Sequence, residues 1–146
     1  DLELTDAFVR LLAPPTPLKL SGAALEGRDL FARVGCTGCH VPALRTGDSP
    51  IAALKNKEVA AYSDLLLHDM GPDNADICFG LATPGEFRTE PLMGLRLMTR
   101  FMHDGRAETP EAAIRRHGGE GAKSRDLFLS LRPEQQAALV AFLKAL

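Results

Sequence analysis

Cys36-Thr37-Gly38-Cys39-His40 is the feature that most limits how this 146-residue chain can fold. Two cysteines spaced as in C-x-x-C-H can reach two vinyl groups of one porphyrin, and the adjoining imidazole then lies under the iron. The chain must therefore wrap a large flat group around this point. The pattern predicts one covalent haem c on Cys36 and Cys39, with His40 as an axial iron ligand. Two other chemistries use paired cysteines. A thioredoxin-like couple places its first cysteine at a helix N-terminus, where the dipole favours thiolate. Here the pair follows a helical pattern, and Pro42 comes two residues after His40. Zinc would need Cys36, Cys39, Cys78 and a histidine, but no second close-spaced pair is present. Cys78 reads as a single thiol without chemistry.

Composition fits one globular domain, at 45% hydrophobic and 25% charged residues. A net charge of -2 gives no reason to expect nucleic acid, and apolar stretches such as Ala137 to Leu143 are too short to span a membrane. With seven Phe, one Tyr and no Trp, the aromatic supply for a core is modest, which a bulky cofactor would relieve. No signal peptide precedes Asp1, so the chain reads as a mature form or a fragment of something longer.

Periodicity divides the chain. Leu4 to Leu12 predicts a short helix capped by Thr5 and ended by Pro14, Pro15 and Pro17, so that residues 1–20 form a lead-in and linker ahead of a domain at 21–146. Leu25, Leu30, Phe31 and Val34 share one face of a helix over Gly22 to Val34, which Gly35 stops. Between Thr46 and Arg100 glycine and proline recur, predicting long loops with one or two short helices. Thr109, Pro110 and Glu111 open a helix that Gly118 and Gly119 close. The last helix starts near Pro133, with Arg132 in a poor capping position, and offers Leu139, Phe142, Leu143 and Leu146 to a core.

Three further motifs follow the haem motif: Tyr62-Ser63-Asp64-Leu65-Leu66-Leu67-His68-Asp69-Met70-Gly71, Phe87-Arg88-Thr89-Glu90-Pro91-Leu92 and Phe101-Met102-His103-Asp104-Gly105-Arg106. In this order they make residues 8 to 146 resemble the C-terminal haem domain of the di-haem oxidoreductase branch of the bacterial di-haem cytochrome c peroxidase superfamily. The resemblance implies an all-α cytochrome c fold with long loops, in which the helix after Gly22 and the C-terminal helix cross near the haem. It also implies an extracytoplasmic, periplasmic location. Having one C-x-x-C-H, the chain departs from the family, and the partner haem domain is expected to have been cut away or to be supplied by another chain.

The resemblance places the distal ligand of this haem fourteen residues after the histidine of the Phe101 to Gly105 turn, where relatives carry Met and sometimes Tyr; here that position is His117. Ala113 and Ile114 on the same face would let a flat porphyrin approach. His117 could instead face solvent at the negative end of its helix, and Met98 or Met102 could supply a sulfur ligand. His103 is expected near the distal face as a neighbour, and His68 either satisfies a buried hydrogen bond or lies at the haem edge. Arg88 and Arg96 are candidates for pairing with the propionates.

With two histidines on the iron no position is open, so the expectation is a low-spin electron-transfer domain of a di-haem oxidoreductase. It would work with a redox partner protein or second haem domain. The alternative is a peroxidase-like enzyme whose distal ligand leaves, with His103 helping proton transfer.

Overall fold

The structure, a computed structural model, describes residues 1–77 and 80–146. Five helices occur among them: α1 (Leu2–Leu11), α2 (Ala23–Arg33), α3 (Pro110–Arg115), α4 (Ala122–Leu129) and α5 (Pro133–Leu143). Between α2 and α3 lie two small antiparallel sheets, β1 (Leu44–Arg45) with β2 (Glu58–Val59), and β3 (Leu67–Asp69) with β4 (Glu86–Arg88). In the second sheet His68 stands opposite Phe87. The expected all-α class is therefore corrected. Strands of two or three residues have no room for an apolar alternation to repeat, and β3 and β4 pair across residues 70–85, so no tight hairpin turn announced them.

The core lies where α2 crosses α5. Leu30, Phe31 and Val34 from α2 meet Leu139, Phe142 and Leu143 from α5, and Phe128 of α4 and the final Leu146 complete the cluster. Each such side chain contributes roughly 1.5–3 kcal/mol by leaving water. Gly27 makes the crossing possible: a Cβ there would lie 1.9 Å from the Ala138 carbonyl oxygen. Phe31, Tyr62 and Phe142 pack edge to face, with ring centres 5.4 to 6.1 Å apart. Leu25, expected on the buried face, is exposed, because at about 100° of rotation per residue it lies on the opposite side of the helix from Gly27, which meets α5.

Helix ends follow local chemistry. Gly35 adopts a left-handed φ of +87° and ends the α2 segment as expected. The Thr109 hydroxyl accepts the Ala112 N–H at 3.1 Å, a cap that contributes about 1 kcal/mol. Arg132 cannot cap with its own side chain, and the Gln135 side-chain oxygen instead reaches back to the Arg132 N–H. The first helix begins earlier than expected, at Leu2, with Thr5 inside it and Asp1 as N-cap. None of its residues is buried. Helix α3 stops at Arg115, before the two glycines, and α4 was not expected at all, its apolar face being narrow.

Candidate haem site

The site begins at the end of α2. Once Gly35 has turned the chain, Cys36–Gly38 forms one 3-10 turn and the His40 N–H donates to the Cys36 carbonyl at 2.9 Å. Burial pushes the Cys36 thiol up to about 12. Burial also raises Cys39, helped by the negative charges of Asp64 and Glu120. The pair thus follows the C-terminal end of a helix instead of opening one, which disfavours the thioredoxin-like reading. The closest group of metal-type donors among the described residues is Cys39, Asp64 and His68, within 4.8 Å of one another; it excludes Cys36, and Cys78 lies outside the described residues.

Two imidazoles face each other above this turn. His40 and His117 have ring centres 6.5 Å apart and planes inclined by 49°. His40 Nδ1 lies 2.9 Å from the Tyr62 carbonyl, and His117 Nδ1 lies 2.9 Å from the Ala113 carbonyl. A carbonyl oxygen only accepts, so each Nδ1 carries the proton and each Nε2 keeps a lone pair. Burial lowers the pKa of both rings; the closeness of His117 lowers His40 further, and the Arg125 cation lowers His117 further. Neutral, oriented rings are the form that binds metal. An imidazole nitrogen holds a first-row metal at about 2 Å, so two rings on opposite sides of one ion have centres roughly 6 Å apart. The observed separation fits an iron shared by His40 and His117.

Local sequence fixes the His117 side. Its loop runs directly against the backbone of β3: a Cβ on Gly118 would lie 2.5 Å from the Met70 carbonyl oxygen, and one on Gly119 2.1 Å from that of Asp69. Only glycine permits this approach. The Asn74 amide, itself buried, donates to the Met70 and Arg116 carbonyls, and Arg125 donates to the His117 carbonyl at 2.9 Å. Gly118 and Gly119, expected only to end the helix and turn the chain away, thus dock the loop on the backbone of residues 69–71.

The other expected residues have these surroundings. Met98 is 59% exposed. Met102 holds a left-handed φ of +70° in the turn closed by the Phe101 and Ala107 bridge. His103 stacks on Phe87 with centres 4.2 Å apart and meets Asp76 at 3.1 Å. Arg88 is exposed on β4, and Arg96 donates to the Leu146 carbonyl at 2.7 Å, tying down the end of the chain.

His68 sits between two carboxylates, Nε2 at 2.9 Å from Asp64 and Nδ1 at 2.9 Å from Glu120. Both ring nitrogens donate, so the ring is an imidazolium, and Glu120 first and Asp64 second raise its pKa. Asp64 is held at about 2, its partial desolvation outweighed by the Leu66 N–H and by His68. For a raised histidine, the stabilisation is complete below the ordinary value near 6.5 and disappears as pH climbs through the folded-state value. The melting temperature should therefore fall from pH 6.5 upward, and in His68→Gln that slope should flatten; equal slopes would contradict it.

Sequence reasoning did not pick out the main-chain carbonyls of Tyr62 and Ala113, or Asp64, Glu120, Asn74 and Arg125. Carbonyls carry no residue signature. For Tyr62 and Leu65 the useful signal is conformational, since both non-glycine residues hold positive φ, +51° and +61°.

A family model described as "Di-haem oxidoreductase, putative peroxidase" matches residues 8–146. Among solved structures, Kuenenia stuttgartiensis hydrazine synthase, pressurised with 20 bar xenon, is similar at a TM-score of 0.61 and 21% identity. That match covers 99% of this chain and 55% of the other. A MauG-like protein associated with microbial copper homeostasis is similar at a TM-score of 0.51 and 26% identity, over 88% of this chain and 47% of the other. The chain thus spans about half the length of these solved structures. No curated protein matches it significantly.

Proposed function

Because the chain belongs to the di-haem oxidoreductase family, we propose that it is that family's electron-transfer unit, with haem c bound covalently through Cys36 and Cys39. His40 and His117 are the axial ligands in this reading. The observation that carries it is the pair of facing, neutral rings, each with its proton committed to a carbonyl and its lone pair left for iron. When bound, haem supplies a one-electron couple. The protein's own part is to hold two imidazoles in place. Tyr62 and Ala113 set their tautomers, the glycine loop seats His117, and Phe31, with its ring centre 6.3 Å from His40, keeps water from that side. With both positions filled by imidazole, the potential should lie below that of Met/His cytochromes c.

A redox partner protein or a second haem domain exchanges the electrons, and attachment of haem c places the chain outside the cytoplasm. No helix among the described residues is long and apolar enough to cross a membrane. The test is the spectrum of the haem-loaded protein together with a haem-stained denaturing gel. A low-spin spectrum in both oxidation states is expected, with staining lost completely in Cys36→Ser/Cys39→Ser. Staining that survives the double substitution contradicts covalent attachment. A high-spin parent that consumes peroxide overturns the electron-transfer reading in favour of a peroxidase-like domain.

A further inference from the structure

The two imidazoles belong to different parts of the chain, and one side chain connects them. On one side, the Tyr62 carbonyl orients His40. That segment is fixed firmly: the Ser63 N–H donates to the Val41 carbonyl at 3.0 Å, and the fully buried Ser63 hydroxyl donates to the Thr89 carbonyl at 2.7 Å and accepts the Leu65 N–H. Asp64 comes next, two residues after Tyr62. On the other side, Glu120 comes three residues after His117, in the loop seated on β3. Its second carboxylate oxygen accepts the Asp69 N–H at 2.9 Å. Between Asp64 and Glu120 stands His68, bonded to both.

We propose that His68 is a positioning residue that locks the His117 loop to the Tyr62–Asp64 segment and so fixes the two axial imidazoles relative to each other. This rests on the reading of His40 and His117 as the iron ligands. A neutral spacer of the same size would not serve equally well. Without a cation between them, Asp64 and Glu120 become two carboxylates facing each other beside Cys39, and they repel. Removing His68 therefore replaces two charge-assisted bonds with a force that pushes the His117 loop outward. The neighbouring trio Cys39, Asp64 and His68 does not serve as a cation site in this reading: the Cys39 sulfur is committed to the haem, and the imidazolium has no lone pair to offer.

The consequence is a readout distinct from stability. An external ligand such as cyanide enters only when His117 leaves the iron, so its apparent affinity and rate scale with the fraction of protein in which the loop is open. In haem-loaded His68→Ala the spectrum should remain low-spin, because His117 is still present. Cyanide association should become about tenfold faster, the scale typical when a ligand's supporting partner is lost. Adding Glu120→Gln to His68→Ala removes the repulsion and should bring the rate back part of the way. Gln135→Ala, which removes the distant N-terminal bond of α5, should lower the melting temperature without changing the cyanide rate.

A cyanide rate in His68→Ala within twofold of the parent overturns the proposal. So does a double variant as fast as His68→Ala, or a Gln135→Ala variant that accelerates equally. If His68→Ala does not load haem, Glu120→Gln in the parent background decides instead: faster cyanide binding supports the lock, and an unchanged rate overturns it. Failure of the axial-ligand reading is separate and visible in the same series, because His117→Gly would then retain the parental spectrum.

Discussion

Replacing His117 with Gly is expected to turn a six-coordinate low-spin haem into one with an open distal position. His117 is half-buried and neutral, with its ring centre 6.5 Å from that of His40, and the glycines after it seat its loop on β3 whether or not the imidazole is there. The substitution therefore removes a ligand without removing its support. If the parent holds His117 off the iron for about one part in a hundred of the time, deleting the ring lifts a roughly hundredfold barrier to cyanide or imidazole binding. Stopped-flow mixing measures this directly. His117→Met should stay low-spin while its midpoint potential rises by on the order of 100 mV, a modest share of the roughly 0.8 V range that axial ligands span. Met102→Ala and His103→Ala should keep the parental spectrum, since Met102 lies in the 101–107 turn and His103 is engaged with Phe87 and Asp76. The assignment fails if His117 variants keep the parental spectrum and potential while a Met98 or Met102 variant turns high-spin.

Gly27→Val should be the most damaging single change away from the haem. Its Cβ would lie 1.9 Å from the Ala138 carbonyl oxygen and 2.9 Å from the Phe142 Cβ. The first of these is backbone in the middle of α5 and cannot swing aside. The helices must separate, and the contacts of Leu30, Phe31, Leu139 and Phe142 loosen together. Overpacking ordinarily costs about 1–3 kcal/mol, and a clash with helix backbone should reach or exceed the upper figure. Against a total stability of roughly 5–15 kcal/mol, the variant should unfold at much lower denaturant and load haem poorly. Gly47→Ala, outside the haem motif, is the matched control. Nothing lies within 4 Å of a Cβ there, so haem loading and stability should be close to parental. Equal stability of Gly27→Val and the parent would show that the crossing is looser than its geometry implies.

What the sequence made legible was whatever local chemistry decides. The α5 face of Leu139, Phe142, Leu143 and Leu146 is buried as its spacing requires, and Thr109 caps α3 through its hydroxyl. His117 was reached by counting along a resemblance, and the structure sets its ring opposite His40. The sheets were not legible, because β1 to β4, at two or three residues each, leave no room for an alternation of period two to repeat. Arg96 shows a different difficulty. An arginine near a cofactor can pair with its propionates in principle, but the carbonyl at the end of the chain lies 2.7 Å away and engages it. Asp64 and Glu120 are far apart in the chain and meet only through His68, so no spacing rule could have joined them.

The two atoms that orient the axial rings, the Tyr62 and Ala113 oxygens, belong to the main chain, and this governs how such a site can change over generations. Every residue type offers the same carbonyl, so the identity of either position can drift without altering ring orientation, provided the path of the backbone survives. Heritable tuning of ring orientation must then act on that path: through the left-handed turn at Tyr62, where glycine or asparagine would ease the strain, or through the length of the short helix that delivers Ala113. Insertions and deletions of single residues in these two segments are the changes to which descendants of this chain should be most sensitive, far more than to exchanges of side chain.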